Sequence, residues 1–346
     1  MKRTTFLILF GLFSAVFCFA QTDLQPAAIV NLTRSAPITV KQYRTEVEKY
    51  EQSSGRTFSQ TERLQVLDLM INEMLVVQAA ERDNITVYES EVNQYLQQLR
   101  TQLAQNLGRQ PTDAEFAQAV KNESGMEVQT FRDQLRRQML VQKYLEAKKG
   151  DKLKSITPPT DEEIRSQFAL ARERFVRPET VRFSMIQVPY GPDAASKVKA
   201  KELADSLFRE IGASPSRFDE VSARAQAANS GYVAGDGGFL PRNLEAQKVV
   251  GQDFLNTAFS LKQGEVSKLI EGVPGYQIIK VTESYAIKNL ELDDIFKLGT
   301  RVTVKEQIGN AMMMEKQQRV LAQASQELVA ELRTGNPFRI FEANIK

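Results

Sequence analysis

The sequence contains no histidine and no tryptophan, and Cys18 is the only cysteine among its 346 residues. Without histidine or paired thiolates, the chain lacks the groups for the usual zinc sites, for Ser/His or Cys/His nucleophiles and for an internal disulfide. Function must therefore come from apolar surfaces, carboxylates, amides and backbone groups. These absences favour a binding protein or a catalyst of conformational change over a bond-breaking enzyme, with no metal and no cofactor.

The charge balance is close to neutral. The chain has 45 basic and 43 acidic residues, and two of the basic ones, Lys2 and Arg3, lie at the extreme N-terminus. The remainder carries equal numbers of both signs, whereas a nucleic-acid-binding protein presents a basic face. We expect no nucleic acid partner. We also expect no nucleotide, because no phosphate-binding loop is present.

Residues 1–20 have the pattern of an export signal. Two basic residues precede an uncharged apolar run over residues 6–19, and the small residues Cys18 and Ala20 stand where a signal peptidase reads. We expect cleavage before Gln21 and a location in the periplasm or cell envelope.

The apolar run of the signal is shorter than the roughly 20 apolar residues that a membrane span needs. No other segment is long and apolar enough, so no transmembrane span is expected after cleavage. Two alternatives stay open, namely an uncleaved anchor and lipid attachment at Cys18, which follows the bulky Phe17.

Six segments in the first half of the chain fit the capping box, in which a hydroxyl and a carboxylate or amide three residues later satisfy amides at a helix start. Apolar residues at helical spacing follow each box. The pattern predicts an N-terminal helical region, and the helix after Ser59 is apolar nearly all round and is expected to be buried. The boxes are residues 39–42, 59–62, 86–89, 112–115, 124–127 and 160–163.

The composition changes at Pro178, where strand-like alternation replaces the helical pattern. Alternating apolar residues, one helical segment, a glycine-rich stretch and a closing apolar strand predict an α+β domain of about 105 residues ending near Glu283. The four segments are residues 181–188, 197–211, 231–238 and 276–281.

Helical spacing returns over residues 292–333, and Gly335 and Pro337 then stop the helix. One terminal helix and the strand at residues 338–341 cannot form a core alone. We expect both to pack on the N-terminal helices, with residues 338–341 paired to residues 29–32.

The start of the helical region resembles the SurA/PrsA-type periplasmic foldases. In that family a strand of the type Val-x-Val-Asn-Gly-x-x-Ile-Thr opens a helical chaperone domain, and residues 29–39 here read Ile-Val-Asn-Leu-Thr-Arg-Ser-Ala-Pro-Ile-Thr. The resemblance implies unfolded or extended polypeptides as partners. It continues through residues 67–75, 78–80, 85–87 and 131–138.

The middle region resembles a parvulin, a PpiC-type peptidyl-prolyl cis-trans isomerase domain. The family's Gly-Gly-Asp-Leu-Gly turn is similar to residues 237–240, its Phe-x-x-Ala-x-x-Leu-x-x-Gly-Glu-Val-Ser stretch to residues 254–267, and its last strand to residues 275–281. The resemblance implies a groove for the proline ring. We expect Met185, Phe239 and Phe254 to line it, although ordinary core packing is the alternative role for Met185 and Phe254.

The sequence departs from the parvulin pattern at both family histidines. Met185 and Gln277 occupy those positions, and the Cys or Asp near the groove falls in residues 225–228, which contain neither. We therefore expect a doubtful or reduced isomerase activity, with Gln277 as the candidate catalytic group because its amide can donate a hydrogen bond. Its alternative role is to bridge strands.

These features predict a multidomain protein, in which an all-α chaperone domain built from N- and C-terminal segments contains an inserted α+β parvulin-like domain. The expected boundaries are residues 1–20 for the signal, 21–176 for the helical domain, 177–285 for the parvulin-like domain and 286–346 for the C-terminal helix and strand.

The expected function is that of an exported folding factor or chaperone for unfolded envelope or secreted proteins. Two alternatives stay open at this stage. One is a fully active peptidyl-prolyl isomerase, and the other is a non-catalytic structural adaptor for one envelope partner.

Overall fold

A computed structural model describes residues 23–191, 193–227 and 230–345 of the protein. The predicted signal, including Cys18, lies outside these residues. The chain divides into two compact units. We call residues up to Ile156 together with those from Lys316 onward the helical unit, and Thr157–Glu315 the sheet unit.

The helical unit begins with a hairpin of β1 (Pro26–Val30) and β2 (Ala36–Thr39). Five helices follow, and the last helix and strand of the chain complete the unit. The elements are α1 (Val40–Ser54), α2 (Gln60–Arg82), α3 (Glu89–Leu107), α4 (Asp113–Ser124), α5 (Val128–Lys154), the part of α11 (Val304–Leu332) from Lys316 onward, and β9 (Phe338–Ile340).

Four of the six predicted capping boxes are confirmed, at Thr39, Ser59, Thr112 and Thr160. In each, the hydroxyl accepts a hydrogen bond from the amide three residues on, and the side chain there accepts one from the backbone amide of the cap residue. These boxes are predictable because all their partners lie within four residues of sequence.

The other two predicted boxes are wrong. Helix α3 is capped by Tyr88 rather than by Thr86, and Glu91 supplies the carboxylate at 2.9 Å from the Tyr88 amide. Ser124 is the last residue of α4, and its hydroxyl donates to the Val120 carbonyl at 2.6 Å. A serine can bond the carbonyl four residues back as readily as it caps, so the short motif alone does not separate the two roles.

The core of the helical unit is centred on α2. Leu67, Ile71 and Leu75 are fully buried there and pack with Tyr144 of α5 and Leu328 of α11. The expectation that α2 is buried all round is wrong for one face, because 36% of Leu64 and 54% of Leu69 are exposed.

A three-stranded sheet joins the two ends of the chain in the order β2-β1-β9. Strands β1 and β9 are antiparallel, with Val30 opposite Phe338 and Ala28 opposite Ile340. The two predicted segments therefore pair, through residues 28–30 rather than 29–32. The helical unit is therefore helical with a small sheet rather than purely α-helical.

The sheet unit contains a four-stranded antiparallel sheet in the order β5-β4-β7-β6. Helices cover both of its faces. The elements are α6 (Asp161–Ala171), β3 (Val176–Arg177), β4 (Thr180–Pro189), α7 (Ala194–Ile211), α8 (Pro215–Arg224), β5 (Val233–Pro241), α9 (Leu244–Val250), α10 (Gln252–Ser260), β6 (Ile270–Gly272), β7 (Gly275–Tyr285) and β8 (Lys288–Asn289). The multidomain fold, a helical domain with an α+β insertion, is confirmed.

The unit boundaries lie near residues 156 and 315 rather than at the predicted 176 and 285. A separate apolar cluster accounts for the difference, because Ile164 and Phe168 of α6 pack with Leu290 and with Val304 and Ile308 of α11. The terminal helix begins at Val304 rather than near residue 292, since residues 295 and 303 pair as a β-bridge.

Candidate functional site

The two faces of the four-stranded sheet carry different side chains. On one face, Ile186 and Ile278 pack against α7 and α8. On the other face, which we call the slot face, Phe183 and Met185 of β4 lie beside Ile279 of β7 and beneath α10. This division follows from the alternation of side chains along a strand.

Phe254 of α10 and Met185 of β4 lie in one apolar cluster on the slot face. Only 3% of Phe254 is exposed, and its ring meets that of Phe183 edge to face at 5.4 Å between centroids. Met185 is half-buried at the margin of the cluster. Phe254 is thus buried between α10 and the sheet, and Met185 is partly exposed at the edge of the cluster.

The glycine-rich stretch of β5 makes room for this aromatic pair. A Cβ atom at Gly237 would lie 2.2 Å from the Phe183 ring, far inside van der Waals contact. The strand bulges at this point, because Phe183 faces Gly238 and the next residue, Ser184, faces Asp236. Gly238 has a φ of 78°, a conformation that glycine adopts readily.

Gln277 lies on the slot face, opposite Gln187 of β4 and Ile270 of β6. Only 7% of the residue is exposed, and its Oε1 lies beside Gly272, 2.8 Å from where a Cβ atom of that glycine would stand. Within the described ranges, the Gln277 amide makes no hydrogen bond to another residue. An amide at this position can donate to a bound peptide and cannot transfer protons at neutral pH.

The structure does not bring Phe239 into the slot face. Phe239 packs on Tyr285, with 6.1 Å between centroids, and the Arg182 guanidinium lies 5.2 Å from its ring centroid. The neighbouring residue Leu240 belongs to the cluster of Phe254 instead, together with Val250 of α9. Sequence reasoning missed Leu240 and Val250 because adjacent residues of a strand point to opposite faces and the bulge shifts the alternation.

The charged groups nearest Phe239 form a closed network. Arg182 donates to Asp236 at 2.6 Å and to Glu283 at 2.9 Å. The hydrogen bond from Arg182, together with one from the Gly238 amide, lowers the pKa of the Asp236 carboxyl, and the two carboxylates raise the pKa of Arg182. The Asp236 carboxylate is therefore held by Arg182 and the Gly238 amide, and it stabilises the bulge rather than transferring protons.

No group of three or more metal-ligating side chains occurs within the part of the chain that the structure describes. In the same residues, no helix has the length and apolar character required to span a membrane.

A second candidate surface is a groove in the helical unit, with a volume of about 720 Å³. It is lined by α1, α2 and α5, and by Arg34, Ala36 and Ile38 of the β1–β2 hairpin. Its floor includes Met70 and Met74 of α2, both half-buried, and Leu69 stands exposed at its rim. An exposed apolar groove of this size is typical of a binding surface for another molecule.

Among solved structures, a SurA-like chaperone of Campylobacter jejuni aligns over 92% of this chain and 99% of its own, at 14% identity and a TM-score of 0.37. The foldase protein PrsA of Streptococcus pneumoniae aligns over 86% and 96%, at 17% identity and a TM-score of 0.28.

Curated relatives match most of the chain at low identity. The foldase protein PrsA of Clostridium botulinum strain Loch Maree is 25% identical over 308 residues, which cover 88% of this chain and 80% of that protein. The chaperone SurA of Saccharophagus degradans is 24% identical over 279 residues, which cover 79% of this chain and 61% of that protein.

Two family descriptions match successive parts of the chain. The SurA-like N-terminal domain matches residues 1–145, and the PPIC-type peptidyl-prolyl isomerase domain matches residues 159–297. The second match contains the whole four-stranded sheet and the slot face. The chain belongs to the SurA/PrsA-type foldases, chaperones that carry a parvulin domain.

Proposed function

We propose that the protein is an exported folding factor that holds unfolded polypeptides in the groove of its helical unit and isomerises X-Pro bonds weakly on its slot face. One observation carries the isomerase part. The slot face is apolar around Phe254 and Met185, and the polar residues beside them on β4 and β7, Gln187 and Gln277, do not titrate.

Isomerisation does not require proton transfer. Rotation about an X-Pro bond faces a barrier of about 18–20 kcal/mol, and no covalent bond breaks. A catalyst needs only to bind the twisted imide more tightly than either planar form. The partly exposed Met185, which packs at the edge of the Phe254 cluster, is suited to contact the proline ring, and the Gln277 amide is suited to donate a hydrogen bond to the peptide.

Holding an unfolded client requires apolar area and adaptable contacts. The half-buried Met70 and Met74 offer flexible, polarisable side chains, which suit partners of varied sequence. The helical unit supplies this surface without a cofactor, a metal or a nucleotide. Low, sequence-tolerant affinity is expected.

The proposed location is the periplasm or the cell envelope. The proposal rests on the signal pattern of residues 1–20 and on the SurA and PrsA relatives. Release after cleavage before Gln21 is the proposed fate of the signal, with lipid attachment at Cys18 as the alternative. Mass spectrometry of the exported protein distinguishes these two outcomes.

The isomerase part is tested by exchange NMR on proline peptides with the purified protein lacking residues 1–20. We expect acceleration above the uncatalysed rate, and a rate about tenfold lower for Met185→Lys, because burying a methionine side chain is worth about 1.5 kcal/mol or more. Met314→Lys is the matched control, since 61% of Met314 is exposed elsewhere in the sheet unit. No acceleration with any peptide would make the unit a binding module without catalysis.

A double substitution tests whether the absence of the two family histidines limits the isomerisation rate. Met185→His combined with Gln277→His restores the family pair. We expect a change below about tenfold, because one hydrogen bond contributes about 0.5–1.5 kcal/mol. A rise of a thousandfold would mean that this isomerase requires imidazole, contrary to the proposal.

The chaperone part is tested by aggregation of unrelated denatured proteins with and without the protein. We expect suppression at near-stoichiometric amounts. Tight binding to one protein, combined with no suppression, would instead favour the structural adaptor.

A further inference from the structure

The groove of the helical unit is bordered by unequal charges. Both of its carboxylates already have cationic partners, with Glu46 3.6 Å from Lys49 and Glu73 3.4 Å from Arg137. The basic side chains outnumber the acidic ones, so the formal charge of the lining is positive. The basic residues are Arg34, Lys41, Lys49 and Arg137.

Lys41 is the cation in this lining whose charge is not balanced. It is exposed and makes no ion pair or hydrogen bond with the described residues, whereas Arg34 pairs with Glu81 at 3.2 Å. Lys41 also stands in the first turn of α1, which contains no acidic residue. A helix N-terminus carries partial positive charge and favours carboxylates, so a lysine there strengthens the positive field instead of reducing it.

The groove floor beside this charge is apolar and continuous. Val66, Met70, Met74 and Val77 recur at steps of three and four residues and therefore form one stripe along α2. The three that follow Val66 are half-buried, so a partner can still cover them.

The two ends of the groove differ in charge. Burial and then the charges of Glu46 and Glu73 raise the pKa of Tyr50, so both carboxylates lie near Tyr50. Lys41 lies nine residues earlier on α1, a distance of about 14 Å along the axis. An extended segment of about four residues spans this length.

We propose that this groove preferentially binds extended client segments of about four apolar residues that are flanked on one side by acidic residues, with the carboxylates beside Lys41. The inference rests on the proposed chaperone function and specifies its client class. The charge complementarity at Lys41 carries it, because the other charged side chains of the lining are already paired.

The test uses three fluorescent, proline-free peptides with one apolar core, flanked on one side by two aspartates, two asparagines or two lysines. Fluorescence anisotropy with the protein lacking residues 1–20 gives the affinities. We expect the aspartate peptide to bind about two- to fivefold more tightly than the asparagine peptide, as for one exposed ion pair. The preference should vanish near 1 M salt, where charges are screened within about 3 Å.

Lys41→Glu should reverse the preference between the aspartate and lysine peptides. Lys154→Glu is the matched control, since Lys154 is exposed, lies outside the groove and also has no partner among the described residues. Equal affinities for all three peptides, or equal effects of the two substitutions, would overturn the inference and leave the chaperone function standing. Failure to bind any peptide, together with no suppression of aggregation, would overturn both.

Discussion

Gln78 is a polar residue at the centre of an apolar core. It is fully buried on α2, where its Oε1 accepts hydrogen bonds from the amides of Leu32 and Thr33, both at 3.0 Å, and its Nε2 donates to the Val30 carbonyl at 3.4 Å. One side chain thus satisfies backbone groups at the turn after β1. A buried polar residue is compatible with a stable core when its partners are present in this way.

Replacing Gln78 by leucine should destabilise the helical unit by about 2–4 kcal/mol, because two amides of the turn lose their acceptor. Urea unfolding, followed by hydrogen exchange in residues 26–39, measures the loss. Gln65→Leu is the matched control on the same helix, since Gln65 is exposed. Equal destabilisation by the two substitutions would contradict the role of Gln78 in holding the turn.

At the residue scale, the sequence predicts the positions of some candidate site residues correctly and those of others wrongly. Phe254 and Met185 are predictable, because the motif that contains Phe254 and the alternation of β4 fix which face each occupies. Phe239 is predicted for the groove, but Leu240 rather than Phe239 lies in the apolar cluster of the slot face, since the bulge at residues 236–238 shifts the alternation of β5. A one-residue shift exchanges the two faces of a strand, and periodicity alone does not locate it.

At the scale of elements, β5 depends on glycine where it crosses β4. Gly237 lies under the edge of the Phe183 ring, which packs in turn on Phe254. Gly235, two residues earlier in the same strand, has open space where its Cβ atom would stand. An added side-chain carbon would therefore clash at Gly237 and would meet no atom at Gly235.

Gly237→Ala should destabilise the sheet unit by about 1–3 kcal/mol, because Phe183 must move and the aromatic contact below it is disturbed. Hydrogen exchange in β4 and β7 measures the loss, and the isomerase rate should fall with it. Gly235→Ala should leave both unchanged. Equal effects of the two substitutions would show that the Phe183 contact is unimportant for the strand.

The element boundaries show where local patterns are sufficient. The starts of α1 and α2 are set by hydroxyl and side-chain partners within four residues, and the sequence predicts them correctly. The start of α11 was placed about twelve residues too early. Residues 292–303 have apolar spacing because Leu292 packs in the cluster of α6 and Phe296 packs on Phe175. This burial is a tertiary effect that mimics helical periodicity.

At the scale of the whole molecule, each compact unit has its own apolar core. The helical unit packs around α2, and the sheet unit packs on both faces of its sheet. The terminal segment is fixed to the helical unit by polar contacts as well, since Arg333 donates from Nε to Asn72 at 2.8 Å and also pairs with Asp68. Resemblance in two separate segments of sequence therefore corresponds to two separate structural units.

The absence of histidine predicts a flat pH profile for the whole molecule near neutrality. No side chain outside the predicted signal has an ordinary pKa between about 5 and 9. Urea midpoints, client affinity and isomerase rate should therefore be constant from about pH 5.5 to 8.5. A loss of stability between pH 6 and 7 would require a strongly shifted carboxyl group and would contradict this expectation.

Below this plateau, stability should fall because carboxylates at helix starts are held in their ionised form. The pKa of Glu62 is lowered to about 2 by hydrogen bonds from Arg56 and then Ser59, and that of Glu115 to about 2 by Arg109 and then Thr112. A pKa below the ordinary 4.5 means that each contributes stability that is full above about pH 4.5 and is lost as the pH falls towards 2.

Urea midpoints between pH 2.5 and 5.5 should show a smaller loss for Glu62→Gln than for the unaltered protein. Glu123→Gln is the control, since Glu123 is exposed, and it should lose as much stability in acid as the unaltered protein. Identical pH profiles for the two variants would exclude the Glu62 carboxylate as a source of the acid-dependent loss of stability.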